Sequence, residues 1–206
     1  MIRSIAQVIS YLFHPLALPI YAIFLFSATN SAFQLYLDPE KTGKLALIFI
    51  GISFVAPLVY IFYLKQTGAI DNVSDPNRKS RLIVSIVVLV FYAITYFLFK
   101  RIQLNDVFYD LFFGVIVAIA IATIISFWYK ISMHGLSVGG LLGAQCALFF
   151  LHNYLRMDIL LLLILLIGLV GTSRAIVKAH TNDQIYSGVL LGATVVAAYL
   201  IYGTSF

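Results

Sequence analysis

Seven stretches of the chain carry no charged residue and approach or reach the length of a bilayer-crossing helix. They cover residues 4–37, 45–64, 82–99, 111–129, 131–155, 159–173 and 185–206. A helix that crosses the hydrocarbon core needs about 20 largely apolar residues. Only 159–173 is short, and it can extend at either end. We therefore predict an all-α polytopic transmembrane bundle with helices at roughly 14–36, 44–64, 82–99, 108–129, 132–151, 157–173 and 184–204. A six-span alternative, with the N-terminus partly in the membrane interface, fits the same pattern.

The composition excludes a soluble globular protein. Of 206 residues 62% are apolar and only 10% are charged, with a mean hydropathy of +1.02, whereas soluble domains carry about 25% charged residues. The 17 Phe and 13 Tyr exclude a disordered chain. A single cysteine, Cys146, excludes an intrachain disulfide and a thiolate metal cluster. We expect one transmembrane domain over 1–206, surrounded by membrane lipids and binding no nucleic acid.

Seven alternating spans sort the connections onto two faces. Face X holds the N-terminus and the connections 65–81, 130–134 and 174–183; face Y holds the others and the C-terminus. Face X carries eight Lys and Arg residues and face Y carries five. The positive-inside rule alone places face X in the cytoplasm. If six basic residues of face X belong to an anion site and are not counted, two remain on face X against five on face Y. The same rule then places face Y in the cytoplasm. We therefore expect face X to point outward, in the bacterial inner membrane.

Three polar segments interrupt the apolar runs, and all three fall on face X. The first, residues 71–81, is a loop and helix start that contains Arg78, Lys79 and Arg81. Arg78 and Arg81 are three residues apart and would share a helix face. Such a cluster is also typical of an ordinary membrane edge.

The second polar segment, residues 130–140, places Ser132, His134 and Gly135 at the start of a helix. The free N–H groups and the dipole of a helix N-terminus bind anions. A histidine at membrane depth indicates a functional site, although a packed, hydrogen-bonded histidine fits equally. Gly139 and Gly143 have the small-xxx-small spacing of helix packing.

The third polar segment, residues 173–192, joins two apolar helices. It contains Ser173, Arg174 and His180, followed by Asp183 and Gln184. On a helix that starts near residue 181, His180 and Gln184 share one face and Asp183 lies nearby. Gly188 and Gly192 again have the spacing of helix packing.

The third polar segment resembles the signature of the type-2 phosphatidic acid phosphatase superfamily, which is Ser-Arg, five residues, His, three residues, Asp. Ser173, Arg174 and His180 match, and Gln184 stands at the Asp position. The middle motif, Pro-Ser-Gly-His, is similar to 131–134 at Ser and His only. The first motif, Lys, six residues, Arg-Pro, is not present in that form, and the basic residues of 78–81 take its place. The similarity spans 78–192, which implies N-terminal helices over 1–64 and a phosphatase-like core over 78–206.

The resemblance implies a membrane-embedded lipid phosphatase that needs no metal or cofactor. His180 would be the nucleophile and form a phosphohistidine, and His134 would be the general acid. Gln184, or Asp183 if the helix is locally rotated, would orient His180. The residues implied to hold the phosphoryl group are Arg174, Arg81, Arg78, Lys79, Ser132, Gly135 and Ser173. The substrate would be a lipid phosphate such as phosphatidic acid, phosphatidylglycerol phosphate, a polyprenyl diphosphate or a lipid A phosphate.

Three alternatives remain open at the level of sequence. Gln184 lacks the negative charge of the expected Asp, which also fits a non-catalytic protein that binds or scaffolds lipid phosphates. A transporter with histidine proton relays would need polar residues through the bilayer depth, and the helix cores are nearly free of them. A metal site at His134, His180 and Asp183 lacks paired-ligand spacing. His14 and His152 are interpreted as packing or interface residues.

Overall fold

The chain forms a bundle of helices in a computed structural model that describes residues 1–29, 39–71, 77–101, 106–152 and 156–203. Within these ranges it has eight helices and no strand. The third helix, α3, runs through Pro39–Ile48, a π-helical segment at Phe49–Val55, and Ala56–Gln66. The others are α1 Ile2–Leu12, α2 Leu18–Thr29, α4 Arg78–Lys100, α5 Asp106–Ile125, α6 Met133–His152, α7 Met157–Ile176 and α8 Asn182–Gly203.

Six helical stretches within the described residues are long and apolar enough to cross a membrane. They are Gly43–Gln66, Arg78–Lys100, Val107–Ile125, Met133–Leu151, Met157–Ile176 and Asn182–Gly203. Their outward faces are apolar, as on α7, where Leu161, Leu162 and Leu165 are exposed. Because such faces are stable against lipid rather than water, the chain is an integral membrane protein. The predicted all-α polytopic bundle is confirmed.

The N-terminus differs from the predicted span 14–36. Helix α1 ends at Leu12, the chain turns, and α2 begins only at Leu18. Pro15 lies in this turn, where proline disfavours a continuous helix because it lacks an N–H and restricts the preceding residue. Helix α1 packs on α7 through its buried Ala6 and Ser10. Residues 30–36 of the predicted span lie outside the described residues.

Helix α5 ends at Ile125, four residues before the predicted end at 129. The carbonyl of Ser126 accepts a hydrogen bond from Arg81 Nη2 at 3.2 Å. A basic side chain on a helix-terminal carbonyl stabilises the end of the helix. The same contact ties the start of α4 to the end of α5 on face X.

Helices α6 and α8 form the tightest contact of the bundle. Glycines let their backbones approach so closely that an added Cβ would lie within 3.0 Å of a carbonyl oxygen of the opposite helix. The glycines concerned are Gly135, Gly139 and Gly143 on α6, and Gly188 and Gly192 on α8. The predicted packing roles of the two small-xxx-small pairs are confirmed. This contact brings the starts of both helices together on face X.

The π-helical segment of α3 has a local cause. Pro57 has no N–H to donate to the preceding turn, and its ring would clash with a carbonyl of that turn in a regular helix. The wider turn carries the fully buried Ser53, whose hydroxyl lies 2.7 Å from Thr95 Oγ1 on α4. Thr95 in turn donates to the carbonyl of Phe91. A polar contact therefore joins α3 to α4 inside the bundle.

Candidate anion site at one end of the bundle

A cavity of about 250 Å³ runs through the bundle from face X. Its polar end holds three basic side chains and three histidines, namely Arg81, Lys130, Arg174, His14, His134 and His180. The remainder is almost entirely apolar and reaches Phe99, Phe108 and Phe112. Arg81 and Phe99 are 18 residues apart on α4, which corresponds to about 27 Å along its axis. The cavity is thus cationic at one end and apolar across most of the bundle.

The turn from α7 to α8 sets the spacing between Arg174 and His180. Lys178 N–H donates to Ala175 O at 3.0 Å and Ala179 N–H donates to Arg174 O at 3.1 Å. These two bonds form a Schellman motif, which ends a helix by reversing the chain. Lys178 takes the left-handed position of the motif, with φ of 58°. The reversal returns the chain to the cavity at His180.

Helix α8 then starts with a capping box. Gln184 Oε1 accepts from Thr181 N–H at 3.2 Å, and Gln184 N–H donates to Thr181 Oγ1 at 3.4 Å. This reciprocal pair satisfies two N–H groups that a helix start leaves open. It also fixes the orientation of the Gln184 amide, with its oxygen toward the helix start. The residue at the expected Asp position therefore has a structural role of its own.

The ring of His180 is held through one nitrogen. Nδ1 lies 3.2 Å from Gln184 Oε1 and 3.2 Å from the carbonyl of Lys130. A carbonyl can only accept, so Nδ1 carries the proton and Nε2 keeps its lone pair. Burial, followed by the positive charge of Arg174, lowers the pKa of His180 to about 4. The imidazole is therefore neutral near pH 7, with Nε2 available as a nucleophile.

The second polar segment is bound to the third through its backbone. Ser132 N–H donates to Gln184 O at 3.0 Å, which places the start of α6 beside the start of α8. The hydroxyl of Ser132 accepts from Gly135 N–H at 3.2 Å, as a helix N-cap does. The two groups expected to hold a phosphoryl oxygen thus bind each other here. Gly135 also makes the close approach to α8 described above.

His134 is held by the N-terminal helix. Its Nε2 lies 3.1 Å from the carbonyl of Ser10, so Nε2 carries a proton and Nδ1 is the second, basic nitrogen. Ser10 also donates its hydroxyl to Ser173 Oγ at 3.2 Å, and Ser173 donates to Val170 O. The buried Ser173 therefore links α1 to α7 and does not line the cavity. Its expected phosphate contact is replaced by a contact between helices.

The first polar segment contributes one of its three basic residues to the cavity. Asn77 caps α4 by accepting from Ser80 N–H at 2.9 Å, and this start places Arg81 one turn into the helix. Arg81 lines the cavity. Arg78 and Lys79 are exposed, and Arg78 lies over the ring of Phe127. Residues 72–76 of this segment lie outside the described residues.

Gln184, rather than Asp183, accepts the hydrogen bond from His180 Nδ1–H. Asp183 is exposed, and within the described part of the chain it makes no hydrogen bond with His180. The predicted i, i+4 relation of His180 and Gln184 is therefore found, and no rotation of the helix brings Asp183 inward. The side chain of His152 lies outside the described residues.

Sequence reasoning missed one member of the polar end and left the role of another unassigned. Lys130 was counted among the basic residues of the expected anion site but was given no role of its own. It lines the cavity, and its carbonyl accepts from His180 Nδ1–H. His14 was interpreted as a packing residue. Its ring lies 5.7 Å from that of His134 in an edge-on arrangement, and it lines the cavity. The proline at 15 was the available signal, because it indicates a chain turn at His14.

Comparisons with known proteins add no relative. No protein-family model, curated protein or solved structure matches the chain. Among the described residues, no three His, Cys, Asp or Glu side chains are grouped so that they could hold a metal ion.

Proposed function

We propose that the chain is an integral-membrane lipid phosphate phosphatase that works without a metal. The observation that carries the proposal is the single cavity that joins three basic side chains and three histidines to a long apolar interior. A lipid phosphate has the matching division into an anionic head and an apolar tail. The head would lie at face X and the tail along the cavity.

Recognition of the phosphoryl group would rest on Arg174, Arg81 and Lys130. A phosphate monoester or diphosphate is most stable where fixed cations and N–H donors surround its oxygens. The starts of α6 and α8 lie side by side at this end, and each contributes the positive end of a helix dipole. The two helix starts are held together before the substrate arrives, which favours charge that develops in the transition state.

His180 would act as the nucleophile through Nε2. The lone pair of Nε2 attacks phosphorus, and the bond from phosphorus to the lipid oxygen breaks, which leaves a phosphohistidine. The positive charge that develops on the ring is shared with the Nδ1–H bonds to Gln184 Oε1 and Lys130 O. This pair of bonds supports the nucleophilic role because it keeps the proton away from Nε2.

His134 would act as the general acid and then as the base. When doubly protonated, it keeps its Nε2–H bond to Ser10 O and delivers the Nδ1 proton to the lipid oxygen that leaves. In the second step His134 accepts a proton from the water that attacks the phosphohistidine. Inorganic phosphate is released and both histidines return to their starting forms.

A bacterial inner membrane is the proposed location. The basic residues do not indicate on which side of that membrane face X lies. Three of the six residues set aside as an anion site line the cavity, namely Arg81, Lys130 and Arg174. Arg3, Lys65, Arg78, Lys79 and Lys178 remain on face X against five basic residues on face Y. The positive-inside rule therefore gives no orientation once the cavity residues are excluded.

A lipid-phosphate-binding protein without turnover is the second candidate. The specific observation in its favour is the neutral Gln184, whose amide caps α8 and supplies no charge to His180. In a serine protease triad, Asp→Asn lowers kcat about 10⁴-fold. A binding protein would keep the cations and the cavity but would not hydrolyse the bound lipid phosphate.

Phosphate release separates these candidates. The full chain, purified in detergent, is incubated with phosphatidic acid, phosphatidylglycerol phosphate, a polyprenyl diphosphate and a lipid A phosphate. Release from at least one lipid, abolished in His180→Ala, is the expected result. Asp183, the exposed neighbour of Gln184, gives a matched control. The Asp183→Asn variant should release phosphate at the rate of the unmodified chain. Release from none of the four contradicts the phosphatase proposal and favours the binding protein.

A further inference from the structure

We propose that His14, in the turn between α1 and α2, is a third histidine of the site and donates its Nε2–H to a phosphoryl oxygen. This inference rests on the proposed function, because it adds a binding residue to the same site. It extends the site to the N-terminal helices, outside the phosphatase-like region implied by the sequence motifs. The ligand class is a phosphate or another tetrahedral oxyanion.

The backbone fixes the tautomer of His14. Leu16 N–H donates to His14 Nδ1 at 3.3 Å, so Nδ1 is the unprotonated nitrogen. The proton of the neutral ring is therefore on Nε2. Within the described part of the chain, no acceptor binds this Nε2–H. A donor without an acceptor at the polar end of a cavity is suited to an anionic ligand.

The position of His14 is held by its neighbours. The ring stands edge-on to His134 at 5.7 Å, with an interplanar angle of 79°. Four residues earlier, Ser10 binds His134 through its carbonyl and Ser173 through its hydroxyl. These contacts tie the end of α1 to both α6 and α7. His14 is thus placed before a ligand binds, which lowers the entropic cost of its hydrogen bond.

The neutral state of the ring fits the charge of the site. Burial, followed by the nearby Arg174 cation, lowers the pKa of His14 to about 4. Near pH 7 the ring thus adds a hydrogen-bond donor without adding a fourth positive charge to Arg81, Lys130 and Arg174. A neutral donor of this kind can bind an oxyanion whose charge is already balanced by cations.

A packing role makes a different prediction from a donor role, and two amide substitutions distinguish them. In His14→Gln the amide nitrogen reaches the position of Nε2, so the donor is retained. In His14→Asn the amide oxygen reaches the position of Nδ1 and can still accept from Leu16 N–H, but the donor is lost. Both variants remove the aromatic ring. A role limited to ring packing affects them alike.

The experiment measures binding of orthovanadate and inorganic phosphate to the full chain in detergent by calorimetry. We expect His14→Gln to bind within about 3-fold of the unmodified chain and His14→Asn to bind about 10-fold more weakly, because a hydrogen bond to an ionised group is lost. Equal affinities for the two variants, whether unchanged or weakened, would overturn the donor role.

A separate variant tests the site as a whole. Arg174→Ala should lose binding of both anions. If the unmodified chain binds neither anion, or if Arg174→Ala binds as well as the unmodified chain, the anion site itself is wrong. That outcome rejects the proposed function together with the role of His14. Binding that depends on Arg174 but is equal in the Gln and Asn variants rejects only the role of His14.

Discussion

At the scale of the residue, the Gln184 amide has two functions. Its oxygen accepts from Thr181 N–H as half of a capping box and from His180 Nδ1–H at 3.2 Å. The first contact fixes the helix start, and the second fixes the tautomer of the ring. A carboxylate at this position would make both contacts and add a charge. The neutral amide therefore retains orientation and gives up electrostatic stabilisation.

The protonation of His180 is open to direct measurement. Its pKa, lowered to about 4 by burial and by Arg174, keeps the ring neutral at pH 6, whereas a free histidine is largely protonated there. Nitrogen-15 NMR of histidine-labelled chain should show a neutral ring protonated at Nδ1. His180→Ala identifies the signal. A midpoint near 6.5, or a ring protonated at Nε2, would contradict the described geometry.

The same depressed pKa values affect stability. Unfolding restores ordinary pKa values to His14 and His180, both about 4 in the folded chain. Between about pH 6.5 and 4 the unfolded chain therefore binds more protons than the folded chain, and stability contributed by the neutral rings is lost as the pH falls.

Charge at position 184 should control the rate of hydrolysis. Gln184→Glu keeps the length of the side chain and its capping contacts and adds a negative charge next to His180 Nδ1–H. We expect kcat to rise about 10-fold, because the carboxylate stabilises the positive charge that develops on the ring. Phosphate release from the best lipid substrate measures the effect.

Two variants control for position 184. Gln184→Ala removes the acceptor and should lower kcat by about 10-fold to 100-fold, as the loss of an orienting partner does at other sites. Asp183→Glu keeps an exposed negative charge at the position adjacent to Gln184 and should leave kcat unchanged. If Gln184→Glu and Gln184→Ala both leave kcat unchanged, the contact with His180 has no role in turnover.

The sequence predicted some members of the site and not others. Arg174, His134 and His180 could be found because a polar side chain between apolar helices has few explanations. His14 could not, because it is an ordinary residue at a membrane edge until the fold brings it to the cavity. Ser173 and Gly135 were assigned to phosphate binding, yet Ser173 Oγ binds Ser10 and the Val170 carbonyl, and Gly135 N–H donates to the Ser132 hydroxyl. A motif gives the spacing of side chains but does not show which groups already have partners.

At the scale of the element, the glycine contact between α6 and α8 aligns the two helix starts. A side chain at Gly139 would meet the backbone at Val189, and one at Gly192 would meet the backbone at Leu136. The backbone cannot move aside as a flexible side chain can. The spacing between the second and third polar segments therefore depends on these glycines.

Substitution of one such glycine tests this dependence. Gly139→Val should lower the free energy of unfolding by about 2–3 kcal/mol, because the added side chain overlaps the backbone of α8. The matched control is Gly168→Val on α7, where nothing lies within 4 Å of an added Cβ, and the change should stay within about 0.5 kcal/mol. Thermal unfolding in detergent compares the two. Equal losses would show that the α6–α8 contact is not specific.

Apolar run length predicted the transmembrane helices to within a few residues at most ends, because the bilayer fixes their length. It did not predict the break between α1 and α2, since 4–37 reads as one uncharged run. The chain turn at Pro15 divides that run. The π-helical segment in α3, which Pro57 explains locally, places Ser53 against Thr95, 42 residues away in sequence. Long-range contacts of this kind leave no periodic signal.

At the scale of the whole molecule, the cavity makes the two ends of the bundle chemically different. Its cations and histidines lie at face X, and Phe49, Tyr92, Phe99 and Phe112 pack together in its apolar part. A lipid phosphate in this cavity would be held head first at face X. We propose that such a head reacts there with His180.

This reaction can be tested by trapping the covalent intermediate. The full chain is mixed with a lipid phosphate labelled with phosphorus-32, quenched within milliseconds to seconds, and digested for mass spectrometry. We predict an acid-labile, base-stable phosphate on the peptide that contains His180, absent in His180→Ala and retained in Asp183→Asn. Phosphate released by the chain while no label ever appears on His180 would contradict the mechanism. A lipid that is bound while its phosphate is neither released nor transferred to the chain would contradict any reaction at His180.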